Sequence, residues 1–140
     1  NGVSAYAGRS EFQAFLAASK VLVCLLPLTD QTINIMNEAT LQSLQSGAYV
    51  INVARGQHLV EEDLLRLIDS GHLAGATLDV FREEPLPAGH AFWTHPKITV
   101  TPHASARTLR DETISQIARK ILALSRGAVI SGVVNQQLGY

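Results

Sequence analysis

Four short runs of apolar residues punctuate the chain, at residues 21–26, 48–53, 74–80 and 98–101. None alternates strictly between apolar and polar positions, so each reads as a strand covered on both faces, as in a parallel sheet. Segments of helical period lie between them. Ser10-Glu11-Phe12-Gln13 has the spacing of a capping box, with Phe12, Phe15 and Leu16 falling on one face behind it. Asn37 is placed to cap a short helix carrying Leu41 and Leu44, with Gly47 as its left-handed stop. Glu61-Glu62-Asp63 puts negative charge on a helix N-terminus, Leu64, Leu65 and Ile68 supply a buried stripe, and Gly71 ends it. The last predicted helix, residues 108–126, repeats Ile114, Ile117, Ile121 and Leu124 at steps of three and four and closes at Gly127. The alternation of strand and helix implies right-handed crossovers and an open α/β sheet. One long stretch, residues 81–97, is irregular and holds Pro85, Pro87 and Pro96; structureless connections of that length usually carry function.

Composition narrows the classes. Hydrophobic residues make up 46% of the 140 and charged residues only 16%, which excludes a disordered chain. A net charge of −1 gives no basic surface for a phosphate backbone, so no nucleic-acid partner is expected. The single cysteine, Cys24, has no partner for an internal disulfide. No apolar run approaches the roughly 20 residues that span a bilayer, so no membrane partner is expected. The chain opens Asn-Gly-Val-Ser, without Met, basic leader or cleavage site, and reads as an internal portion of a cytoplasmic protein. His58, His72, His90, His95 and His103 show no i,i+4 pair, so no metal site is expected, and all but His103 read as surface or loop histidines. A Gly-x-Ser-x-Gly elbow is absent, which disfavours a Ser-His-Asp hydrolase.

In open α/β sheets ligands bind beyond the carboxyl ends of the strands. After the first strand comes Pro27-Leu28-Thr29-Asp30, after the second Ala54-Arg55-Gly56. The third carries Asp79 and delivers Glu83 and Glu84, and the fourth ends at Pro102-His103. Singly, each has an ordinary explanation as a solvated charge, a loop pair or a cap. Together they bring an Arg, a carboxylate and a His to one rim. Asn52 and Asp79 also stand where Val or Ile is expected, and a buried polar group needs a partner. The trio suits reduction of a 2-keto acid. A guanidinium holds a carboxylate with two prongs, a protonated His donates to an oxygen gaining negative charge, and a neighbouring Glu stabilises the imidazolium.

The strings Leu25-Leu26-Pro27-Leu28-Thr29 with Thr32, Asn52-Val53-Ala54-Arg55-Gly56, Leu78-Asp79-Val80-Phe81-Arg82-Glu83-Glu84-Pro85-Leu86-Pro87 and Thr101-Pro102-His103 resemble the D-isomer-specific 2-hydroxyacid dehydrogenases, in that family's order. The ending Gly139-Tyr140, the Phe92-Trp93-x-His95-Pro96 stretch and the lack of Gly-Gly after His103 look most like its glyoxylate- and hydroxypyruvate-reducing branch. The resemblance implies that Arg55 binds the keto-acid carboxylate and carbonyl, that His103 donates the proton, and that Glu84, five residues after Asp79, is its partner. It implies that Asp79 holds the nicotinamide carboxamide and that Leu26, Pro27, Val53 and Ala54 line the dinucleotide. Arg55, His103 and Ser105 complete the cofactor-facing set. The implied cofactor is NADP or NAD, with NADPH favoured, and the implied partners are a small 2-keto acid and further copies of the chain.

No Gly-x-Gly-x-x-Gly occurs in these residues. The resemblance therefore implies part of a Rossmann-type doubly wound sheet, four parallel strands with flanking helices, lacking the glycine-turn half. Residues 1–105 would be the second half of the nucleotide-binding domain, and 106–140 a long helix and tail returning toward a substrate domain. Such a portion is expected to be inactive alone and to associate partly through the bare edge at residues 21–26 or the final helix. A phosphoglycerate or other D-2-hydroxyacid dehydrogenase, and a dinucleotide-sensing corepressor of the same family, are the alternative functions.

Overall fold

All four apolar runs become strands of a single parallel sheet, in spatial order β1-β2-β3-β4. They are β1 (Val21–Cys24), β2 (Ala48–Asn52), β3 (Leu73–Leu78) and β4 (Ile98–Val100). The computed structural model describes residues 2–106 and 108–135; Arg107 and the Gly139-Tyr140 ending lie outside the described residues. Helices α1 (Gly8–Ala18), α2 (Glu38–Gln42) and α3 (Glu61–Asp69) connect or precede the strands, and α4 (Arg110–Ser125) follows them. The chain divides into two compact units between His103 and Ala104, so α4 and its tail form a unit of their own.

Register is what matters for a site. Cys24 pairs with Asn52, Asn52 with Leu78, and Leu78 with Val100. The carboxyl ends of all four strands therefore stop on one line, and the residues just beyond them share one rim. At the opposite end the β2–β3 register shifts between Ala48 and Tyr49, where Gly75 faces Tyr49. Gly75 has φ +159, and a Cβ there would lie 2.4 Å from the Lys97 carbonyl oxygen, so only glycine lets β4 approach.

Burial alternates along the strands. Leu22, Cys24, Val50, Asn52, Ala76 and Leu78 are buried, with Leu16, Leu41, Leu44, Leu64 and Ile68 in the same cluster. Each fully buried Leu or Ile contributes about 1.5–3 kcal/mol relative to exposure. The other sheet face is less covered: Val21 and Val23 are exposed, and Tyr49 and Thr77 join hydroxyls at 3.0 Å.

Three local expectations change. Ser10 is not a cap: α1 starts at Gly8, and the Glu11 carboxylate accepts from the Ala7 amide, doing the capping from inside. Asn37 does cap α2, its Oδ1 accepting from Thr40 N–H at 3.1 Å. Gly47, at φ +70, serves the turn into β2, because α2 already ends at Gln42. In α3 the buried stripe is Leu64, Leu67 and Ile68, with Leu65 only half-buried. Gly127 closes α4 as expected: it takes φ +71, Gly127 N–H donates to the Leu124 carbonyl and Ala128 N–H to that of Ala123. No described helix is long and apolar enough to cross a membrane.

Candidate active site

The second rim loop is built by Asn52, the last residue of β2. Its side-chain Oδ1 accepts from Ala54 N–H at 3.1 Å and its Nδ2 donates to the Arg55 carbonyl at 2.9 Å. Both ends of this buried amide are thus used to bend the chain after the strand. Val53 is half-buried, Ala54 is buried, and Arg55 is exposed in extended backbone, its guanidinium donating to the Ala54 carbonyl. The loop packs under the third rim segment through Gly56. A Cβ there would lie 1.9 Å from the Phe81 carbonyl carbon and 2.4 Å from Arg82 N, so no other residue fits without moving the backbone.

The third segment leaves β3 through Asp79, which is buried and accepts from the Thr101 hydroxyl. Phe81 N–H donates to Glu84 Oε1 at 3.0 Å and turns the carboxylate back toward the fourth segment. There Thr101-Pro102-His103 makes a tight turn, with His103 N–H donating to the Thr101 carbonyl at 3.0 Å. His103 takes φ 52, a region that costs a residue with a Cβ, and such strain recurs at functional sites. The result is an imidazole Nδ1 2.8 Å from Glu84 Oε2.

This pair has a definite electrostatic state. The hydrogen bond from His103, then that from the Phe81 amide, hold the Glu84 carboxyl below the usual carboxylate range; desolvation opposes them, and the charges of His103 and Arg55 assist. An ionised carboxylate only accepts, so His103 Nδ1 carries a proton and Nε2 is left to hold or release another. Beside the pair is an open cavity of about 410 Å³ lined by Phe81, Leu86, Trp93, Thr101, Glu84 and His103.

The predicted residues thus fall into groups. Arg55, Glu84 and His103 stand at the same rim, near enough that Arg55 charge reaches Glu84. Leu26 and Pro27 are exposed at the end of β1, and Asp79 is buried between Asn52 and Thr101: its N–H donates to the Asn52 carbonyl at 3.0 Å. Ser105 is exposed and belongs to the second unit. Cys24 lines a separate apolar groove beside β1, where burial pushes its thiol up against a weaker opposing backbone hydrogen bond from Leu26.

Sequence reasoning missed three supports. His58, expected at the surface or in a loop, is fully buried, because its ring lies between the Arg55 and Pro27 carbonyls, 3.1 and 3.3 Å away. Arg82 donates to the Leu59 carbonyl at 2.8 Å and to Asn34 Oδ1, tying the third segment to the loop before α3. Thr101, whose hydroxyl donates to the Asp79 carboxylate, is the third. All three supports pair with residues 22 to 31 positions away, a separation that leaves no local signal. His90 and His95 pair with Glu61 and Asp69 away from the rim. Among the described residues no group of three or more His, Cys, Asp or Glu is placed to hold a metal.

The chain is similar to known proteins. Glyoxylate/hydroxypyruvate reductase A of Serratia proteamaculans is 50% identical over 140 residues, all of this chain and 45% of that protein. The chain thus spans less than half the length of that curated relative. A D-isomer specific 2-hydroxyacid dehydrogenase from Xanthobacter autotrophicus Py2, solved with NADPH and MES, superposes at a TM-score of 0.94 with 40% identity, over 99% of this chain and 57% of that one. An NADPH-dependent glyoxylate/hydroxypyruvate reductase from Sinorhizobium meliloti, solved with NADP and sulfate, gives 0.89 and 36%, over 96% of this chain and 44% of that one. The family model that matches residues 3–105 describes the NAD-binding domain of the D-isomer specific 2-hydroxyacid dehydrogenases. Its span takes in the four strands and every rim loop above, and the chain belongs to that family.

Proposed function

We propose that these residues supply the proton donor and the carboxylate clamp for reduction of a small 2-keto acid, glyoxylate or hydroxypyruvate, to the D-2-hydroxy acid. The observation that carries the reading is the His103–Glu84 pair at 2.8 Å with Arg55 charge close by. Arg55 presents two parallel N–H groups to the substrate carboxylate. His103 holds a proton at Nε2 and gives it to the carbonyl oxygen as negative charge builds there. Glu84 stabilises the imidazolium and fixes the ring through Nδ1.

The rim also fits a nicotinamide dinucleotide. Leu26 stays exposed although apolar, and with Pro27 and half-buried Val53 it offers a wall to a flat ring. Ala54 backs that wall, and the Asp79 carboxylate is the acceptor for a carboxamide. Ser105 joins this set by the family resemblance alone. When bound, the reduced cofactor, NADPH by likeness to the relatives, supplies the hydride. The preference for these substrates rests on the 50% identical relative. A cytoplasmic setting accompanies that reading.

The test is Arg55→Lys in the complete gene product. It keeps the charge and loses the fork, and a charge-assisted hydrogen bond contributes about 1.5–3 kcal/mol, so kcat/KM for glyoxylate falls about tenfold to a hundredfold. An unchanged kcat/KM refutes the assignment.

A further inference from the structure

We propose that His58 is a positioning residue: its ring clasps the loop after β1 to the loop that carries Arg55 and sets the gap between the apolar wall and the carboxylate clamp. The inference rests on the functional reading above and adds a part to it.

The ladder between β1 and β2 ends at the Cys24–Asn52 pair. Beyond it, the imidazole reaches from one loop to the other. Nδ1 lies 3.1 Å from the Arg55 carbonyl oxygen and Nε2 lies 3.3 Å from the Pro27 carbonyl oxygen. A neutral imidazole carries one N–H; with it on Nε2 the ring donates to the Pro27 carbonyl, while the His58 amide holds the Arg55 carbonyl at 3.2 Å. The two anchored residues are thus one from each wall of the cleft.

A purely structural role does not account for this ring. The Arg55 carbonyl already accepts from Asn52 Nδ2 at 2.9 Å and from the His58 amide at 3.2 Å. The Pro27 carbonyl already accepts from the Thr32 hydroxyl at 2.8 Å. Neither needs the imidazole to be satisfied. The neighbours Leu59 and Met36 are buried and apolar. A leucine of similar bulk would fill the space and spare the desolvation of a polar ring. What a leucine cannot do is donate across to the Pro27 carbonyl.

The experiment uses His58→Leu in the complete gene product, with steady-state kinetics on glyoxylate and NADPH, thermal melting, and hydrogen–deuterium exchange across residues 26–33 and 55–59. The expected result is an unchanged Tm, faster exchange in both loops, and KM for glyoxylate raised about tenfold, since misplacement near 1 Å is enough for such losses; kcat falls less. His58→Gln, which restores a donor, recovers part of the KM. Unchanged exchange overturns the clasp whatever the kinetics do. Faster exchange with unchanged KM overturns the positioning role. If His58→Leu does not fold, His58→Asn decides: its shorter amide reaches the Arg55 carbonyl and not Pro27, and it must raise KM. Failure of both to fold makes His58 a stability residue and overturns the proposal. The functional reading fails separately, through an inert Arg55→Lys.

Discussion

Glu84→Gln keeps the side chain's shape and removes its charge, which isolates what the carboxylate does for His103. In the folded chain Oε2 lies 2.8 Å from Nδ1, and Oε1 stays on the Phe81 amide at 3.0 Å. Opposite charges centred about 4 Å apart attract by about 4 kcal/mol at an effective dielectric of 20 and by about 1 kcal/mol in water. The His103 and Glu84 side chains are 50% and 38% exposed, which places the pair toward the aqueous end. A discounted value of about 1–1.5 kcal/mol corresponds to a factor of about five to ten in rate. In the proposed reaction His103 gives its proton to the carbonyl oxygen, and the carboxylate steadies the ring that carries it. Glu84→Gln removes that attraction, so kcat/KM for the keto acid is expected to fall about fivefold to tenfold. The assay is initial rates at subsaturating glyoxylate at one fixed pH. A second readout has its own sign. The folded-state pKa of Glu84 is lowered, so the stability it contributes is present above the ordinary carboxylate range and is lost as pH falls through the depressed value. Glu84→Gln therefore removes that part of the acid limb in a plot of Tm against pH. An unchanged kcat/KM refutes the coupling and points to Glu83 as the next residue to change.

Gly56→Ala puts a methyl 1.9 Å from the Phe81 carbonyl carbon, and overpacking against backbone costs about 1–3 kcal/mol or more; Tm drops and KM for the keto acid rises, whereas an intact Tm refutes the close approach. Among the described residues no strand pairs with the outer edge of β1, and Val21 and Val23 are exposed, so self-association of the chain at high concentration is the expected outcome. Light scattering checks this, and Val23→Lys lowers the association; a monomer at every concentration counts against it.

The four strands were legible because their signal is local. An apolar run between two helical periods has one stable use, a covered parallel strand, and runs 21–26, 48–53, 74–80 and 98–101 each hold a strand of the sheet. The rim was legible for a related reason. Register in a parallel sheet brings strand ends into line, so residues that follow each run fall together, as Arg55, Glu84 and His103 do. The misses lie where two local choices are nearly equal in energy. Ser10 and Glu11 both offer oxygens to a helix start, and the sequence spacing favoured the one that is not used. Leu65 and Leu67 are both one turn from the stripe of α3, and the helix's rotation against β3 selects Leu67.

Other features exist only in three dimensions. Gly56 looks like any glycine after an Arg until Phe81 and Arg82, some 25 residues on, press against it. His58 looks like a loop histidine until the Pro27 carbonyl, 31 residues back, comes within reach of its ring. Hydrophobic period is written residue by residue and determines which segments are strands and helices. The partner of a buried donor is determined by chain crossings that bring distant backbone together, so the sequence alone nominated Arg55, Glu84 and His103 as candidates, and tertiary contact decided what holds them in place.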